Sequence, residues 1–130
     1  MVGILVISHL GIGREMVSTA RTMLGMCPLQ IEILSVMPDS DPDDMLREAR
    51  FSIARLNQGA GVLVLADMYG STPSNIATHL KDDQVRVIAG INLPMLVRAL
   101  NYPGLGLDEL VNKALSGGRE GILLCPSGSN

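Results

Sequence analysis

The sequence contains no tryptophan, two tyrosines and one phenylalanine, so Phe51, Tyr69 and Tyr102 are its whole aromatic complement. Stacking platforms for bases are nearly absent, and Leu, Ile, Val, Met and Ala must build the core. Cations are sparse too: ten Lys and Arg residues face 13 acids, for a formal net charge of -3. Arg14, Arg21, Arg47, Arg50, Arg55, Arg86, Arg98 and Arg119 are scattered rather than gathered into a stripe, so nucleic acid is not an expected partner. The two cysteines, Cys27 and Cys125, stand far apart with no CxxC spacing or Cys/His cluster. That excludes a zinc site and a disulfide framework, and a reducing cytoplasm is the expected compartment. No apolar run reaches membrane-spanning length, and residues 1–7 lack a basic region and meet the polar pair Ser8-His9 too early for a signal peptide. No membrane insertion is expected.

What is present is an alternation. Residues 2–7, 31–36, 61–66 and 85–89 are short, rich in Val, Ile and Leu, and bounded by Gly, Pro, Asp or Ser, as buried strands are. Between them, residues 13–24 and 43–56 carry apolar side chains at helical spacing, and 72–80, 93–100 and 107–115 continue the pattern. Residues 121–125 have the composition of a fifth short strand, an antiparallel edge at the C-terminus. The fold class read from this order is α/β, an open, mainly parallel sheet with helices on both faces. A length of 130 residues suits one domain over 1–125, with 126–130 as a short tail. Asp41-Pro42-Asp43-Asp44 reads as a helix cap followed by a proline and acids in the first turn. The same acids could in principle hold a metal, but no metal is expected.

In open parallel sheets, chemistry gathers beyond the carboxyl ends of the strands, where neighbouring crossovers diverge. That rule selects the loop from Ser8 to Gly13, the loop at Met37-Pro38-Asp39 and the loop from Asp67 to Asn75. If the first and third strands are neighbours, His9 and Asp67 leave the sheet side by side. A nucleophilic histidine needs one ring nitrogen free of its proton, and a carboxylate accepting the other N–H fixes that tautomer. The stretch after Asp67 supplies phosphate donors: Gly70 for close approach, Thr72 as a helix cap, Pro73 at the first helical position, and the hydroxyls of Ser71, Thr72 and Ser74. Such a set is sufficient for phosphoryl transfer, which is catalysed mainly by positioning and electrostatics. Each piece also has an ordinary structural use, Asp67 as a loop cap and Thr72-Pro73 as a plain helix start; their joint occurrence at two strand ends points to chemistry. His79 reads as a capping or surface histidine, Asn92-Leu93-Pro94 as a helix start, and Arg14 as a solvated helix residue or a contact to an anion. Gly11-Ile12-Gly13 matches only half of a dinucleotide fingerprint.

These residues resemble a family, the mannose-type IIA components of the bacterial phosphoenolpyruvate-dependent sugar phosphotransferase system. The resemblance rests on the opening strand running into Ser8-His9, the run Asp67-Met68-Tyr69-Gly70-Ser71-Thr72-Pro73-Ser74-Asn75, the turn around Asn92-Leu93-Pro94, and Gly118-Arg119-Glu120-Gly121-Ile122. It implies a flavodoxin-like fold, His9 as the phosphorylated residue, Asp67 as its partner, and Ser71 and Thr72 as phosphoryl contacts. It also implies HPr as donor, a IIB protein as acceptor in trans, a homodimer, no cofactor, and a last strand able to pair with the second subunit. The family's Gly-Gly-Ser-Pro-Phe-Asn run reads Gly70-Ser71-Thr72-Pro73-Ser74-Asn75 here, with Ser74 in place of an aromatic residue. Two alternatives remain at this stage: the phosphocarrier subunit of a dihydroxyacetone kinase, and a flavodoxin-like flavin or nucleotide binder. A hydroxyl-poor loop after the first strand counts against the binder.

Overall fold

Each Val/Ile/Leu-rich run forms a strand: β1 (Gly3–His9), β2 (Ile31–Val36), β3 (Val62–Ala66) and β4 (Val85–Ala89). The computed structural model describes residues 1–26 and 28–127, so Cys27 and the tail residues 128–130 lie outside the described residues. The strands are all parallel, in the order β2-β1-β3-β4. The segments between and after them form α1 (Ile12–Leu24), α2 (Pro42–Leu56), α3 (Thr72–Thr78), α4 (Leu93–Leu100) and α5 (Leu107–Glu120).

This order places the switch point between β1 and β3. The chain leaves β1 for β2 on one side, then crosses back over β1 to β3 on the other; right-handed crossovers therefore put α1 and α2 on opposite faces. Two apolar clusters match that division. Ile4, Val6, Leu63 and Leu65 pack with Val17 and Ala20 of α1, Leu96 of α4 and Leu110 of α5. Leu5, Ile7, Val62 and Val64 pack with Ala49 and Leu56 of α2 and Ile76 and Ala77 of α3. The sheet is buried on both faces, which is why β1 and β3 are apolar runs without alternation.

Three expectations are corrected. Residues 121–125 form no strand: a strand needs a ladder partner, and these residues pair with no strand of this chain. Ile122, Leu123 and Leu124 lie exposed instead. The N-cap of α3 is Ser71, not Thr72, because Ser71 has extended backbone and its carbonyl accepts the helix's first bond from the Asn75 N–H at 2.8 Å. Thr72 is thus inside the first turn, with Pro73 behind it. Finally, α5 runs past residue 115 through Gly117-Gly118 to Glu120.

The extension of α5 has a packing cause. A Cβ on Gly117 would sit 2.5 Å from Arg98 Cβ, and one on Gly118 would sit 3.3 Å from Met95 Cβ, so the two glycines let α5 press against α4. Asn92 ties the pair, donating from Nδ2 to the Gly118 carbonyl at 3.0 Å while its Oδ1 caps α4 by accepting from the Met95 N–H at 2.9 Å. Ala favours a helix over Gly by about 1 kcal/mol, yet Gly117→Ala is expected to lower stability by about 1–3 kcal/mol through overpacking. Chemical unfolding checks this; a midpoint equal to or above the wild type would contradict it.

Candidate functional site

His9 is the last residue of β1, and Asp67 is the first residue after β3, which pairs with β1 in parallel register up to Ile7 opposite Ala66. Neighbouring strand ends therefore deliver the two side chains to one point. Asp67 Oδ2 accepts the His9 backbone N–H at 2.8 Å and lies 2.7 Å from His9 Nδ1. Its Oδ1 accepts the Met68 N–H at 2.8 Å. A carboxylate can only accept, so Nδ1 carries the proton in this contact and Nε2 of the neutral ring keeps its lone pair. The imidazole is 42% exposed and the carboxylate 10%, so the ring is reachable from solvent while its partner is shielded.

Burial pushes the Asp67 carboxyl up, but the His9 backbone N–H, the His9 ring, and the Met68 N–H together hold it below its ordinary value of 3.8. A carboxylate with a depressed folded value stabilises the fold above the unfolded value, and that contribution is lost as pH falls through the folded one. The thermal midpoint of wild type should therefore converge on that of Asp67→Asn as pH is lowered below about 4. A difference that stays constant from neutral to acid pH would contradict the assignment.

The turn between β1 and α1 is braced from beneath. Ser8 is fully buried; its Oγ accepts the Gly13 N–H at 2.8 Å and donates to the His9 carbonyl at 3.3 Å. Leu10 follows with φ at 48°, a left-handed conformation costing a residue with a Cβ roughly 1–2 kcal/mol. Its N–H is held by the Val36 carbonyl at 3.0 Å. His9, Leu10, Met37, Pro38, Pro42 and Thr72 line an open pocket of about 430 Å³. An adjoining cleft of about 250 Å³ shares Pro42 and Thr72 and carries Asp43 and His79.

The other sequence candidates fall as follows. Thr72 faces the His9 pocket, whereas the Ser71 hydroxyl donates to the Met68 carbonyl. Ser74 is buried and outside that pocket. Gly70 takes a φ of 84°, the left-handed conformation that the turn before α3 requires. His79 ends α3, with Nδ1 donating to the Asn75 carbonyl at 2.8 Å. Asn92 is committed to capping α4. Arg14 is exposed and does not line the pocket. The bracing by Ser8 and the conformation of Leu10 have no counterpart in the sequence reading; a polar residue in an otherwise apolar strand was the one available signal for Ser8. No group of three or more described His, Cys, Asp or Glu residues is placed to hold a metal ion. No described helix is long and apolar enough to cross a membrane.

Comparison with known proteins gives a consistent picture. The family model EIIA-man, described as PTS system fructose IIA component, matches residues 3–115. The mannose-specific EIIAB component of the PTS system of Escherichia coli (strain K12) is 30% identical over 125 residues, covering 93% of this chain and 38% of that protein. This chain thus spans well under half the length of that curated relative. Among solved structures, the mannose/sorbose specific IIA subunit of the phosphotransferase system from Enterococcus faecalis superposes with a TM-score of 0.86 at 23% identity, covering 99% of this chain and 98% of the other. A sigma-54 interaction domain protein from Enterococcus faecalis shares the fold with a TM-score of 0.77 at 16% identity, covering 92% and 91% of the two chains.

Proposed function

Since the chain belongs to the EIIA-man family of PTS system fructose IIA components, we propose that it is a cytoplasmic phosphohistidine carrier that takes a phosphoryl group from HPr on His9 and passes it to a IIB-type protein. The observation that carries this reading is the single carboxylate oxygen, Asp67 Oδ2, that receives both the backbone and the ring N–H of His9. With Nδ1 held against Asp67, Nε2 is the ring nitrogen left free to attack. In the transfer, the Nε2–P bond forms as the N–P bond of phosphorylated HPr breaks, and the donor imidazole leaves with that electron pair. Asp67 stabilises the positive charge that develops on the His9 ring. Transfer to the IIB partner repeats the exchange in the opposite direction, and no cofactor is needed.

Donors for the phosphoryl oxygens come from the start of α3. Thr72 offers a backbone N–H and a hydroxyl from within the pocket wall, and Ser71 can add its hydroxyl by releasing the Met68 carbonyl. The exposed apolar residues Ile122, Leu123 and Leu124 support a homodimer in which this segment finds a partner. Such a carrier serves sugar uptake or regulation.

The test is direct. Incubation with phosphoenolpyruvate, enzyme I and HPr should add one acid-labile phosphoryl group, located on His9 by mass spectrometry. An unmodified chain, or a phosphoryl group on another residue, would set the reading aside.

A further inference from the structure

We propose that Leu10 is the apolar contact by which this carrier selects its protein partner, a surface with an apolar patch rimmed by Lys or Arg that seats over His9. The proposal rests on the phosphocarrier reading and goes beyond it. Among the described residues Leu10 is the one non-glycine with positive φ. The turn itself would be met without strain by Gly or Asn, so the fold gains nothing from a leucine there. Nor does the core, because Leu10 is 48% exposed at the pocket lip and belongs to neither apolar cluster. A strained, exposed apolar residue next to the nucleophile is accounted for when something outside the chain covers it.

The surroundings define what covers it. Ile12 from the same turn, Met37 after β2, and Met68 and Tyr69 after β3 are all exposed at this end of the sheet. Met68 and Tyr69 stand outside the pocket wall, so a small molecule held in the pocket would leave them bare, whereas a protein surface would cover the whole collar. Asp39, Asp41 and Asp44 line a hollow that shares Ser40 with the His9 pocket, and Asp43 lines the adjoining cleft. Asp39 and Asp43 have no ion pair among the described residues, and Arg47, which lines the same hollow as Asp39, is already paired with Asp44. An acidic flank beside an apolar collar complements a basic rim and repels an anionic one.

The experiment measures steady-state phosphoryl transfer from phosphorylated HPr to wild type, Leu10→Gly, Leu10→Asn and, as an exposed apolar control on the last turn of α1, Met23→Ala. Both Leu10 variants should raise KM about five- to tenfold while kcat falls less than about twofold. Their thermal midpoints should equal or exceed the wild type, since strain is relieved. Met23→Ala should leave KM unchanged. Wild-type KM should rise several-fold between about 0.05 and about 0.5 M NaCl. A KM within about twofold of wild type in both Leu10 variants, or a KM indifferent to salt, would overturn the proposal while leaving the carrier reading in place. A wild-type chain that accepts no phosphoryl group at all would remove both.

Discussion

Replacing His9 by Ala is expected to abolish phosphoryl acceptance, a loss of at least about 10⁴-fold in transfer rate. The magnitude follows from chemistry rather than from lost binding: without an imidazole at this strand end no nucleophile faces the pocket, and hydroxyls at neutral pH are far weaker acceptors unless a base activates them. The sequence has one other histidine, His79, and its Nδ1 is engaged with the Asn75 carbonyl in the adjoining cleft. His9→Ala should therefore show no added phosphoryl mass, and His79→Ala should show the full increment. Because the His9 ring is 42% exposed and outside both apolar clusters, His9→Ala should keep its thermal midpoint within a few degrees of wild type. Persistent labelling of a folded His9→Ala protein with radiolabelled phosphoenolpyruvate would sink the assignment.

Asp67→Asn should slow transfer by about 10²- to 10⁴-fold while the protein still folds. The carboxylate accepts three N–H groups, from the His9 backbone, the His9 ring and Met68. An amide has one acceptor oxygen and one donor nitrogen. If the oxygen serves His9, the amide nitrogen meets the Met68 N–H, donor against donor. If the amide is flipped, its N–H₂ faces Nδ1, drives the ring proton to Nε2 and removes the lone pair that attacks phosphorus. In either arrangement the negative charge that balances the developing imidazolium is gone. Rapid-quench measurement of phosphoryl transfer, with circular dichroism to establish folding, distinguishes these effects from unfolding. Equal rates for Asp67→Asn and wild type would end the proposed role of Asp67.

The local elements were largely written in the chain. Strands β2 and β4 and helix α4 begin and end where composition placed them, since Val, Ile and Leu runs flanked by Gly, Pro and Asn leave little choice. The start of α2 was equally legible, with Asp41 accepting from the Asp44 N–H and Pro42 opening the helix. Three places misled, each because a nonlocal contact decided. The last helix reads as ending at residue 115, yet close approach to α4 at Gly117 and Gly118 lets it continue to Glu120. Residues 121–125 read as a strand, but composition cannot provide a ladder partner. Thr72 reads as the cap of α3, and the turn through Gly70 instead puts Ser71 in that position.

The same division holds for the site. The sequence alone determined which groups exist: an imidazole at the end of one apolar run, a carboxylate at the end of another, a hydroxyl-rich helix start, and an alternation that admits only a layered α/β sheet. It also limited where chemistry could gather, because in such a sheet the loops at the carboxyl ends of the strands are free of the core. Only the tertiary structure decided that β1 lies beside β3, so that residues 58 positions apart share one oxygen. The strand order, the bracing by Ser8 and the left-handed turn at Leu10 arise from parallel pairing across long crossovers and from packing on two faces. These are free energies shared among distant residues, and no window of neighbouring side chains contains them.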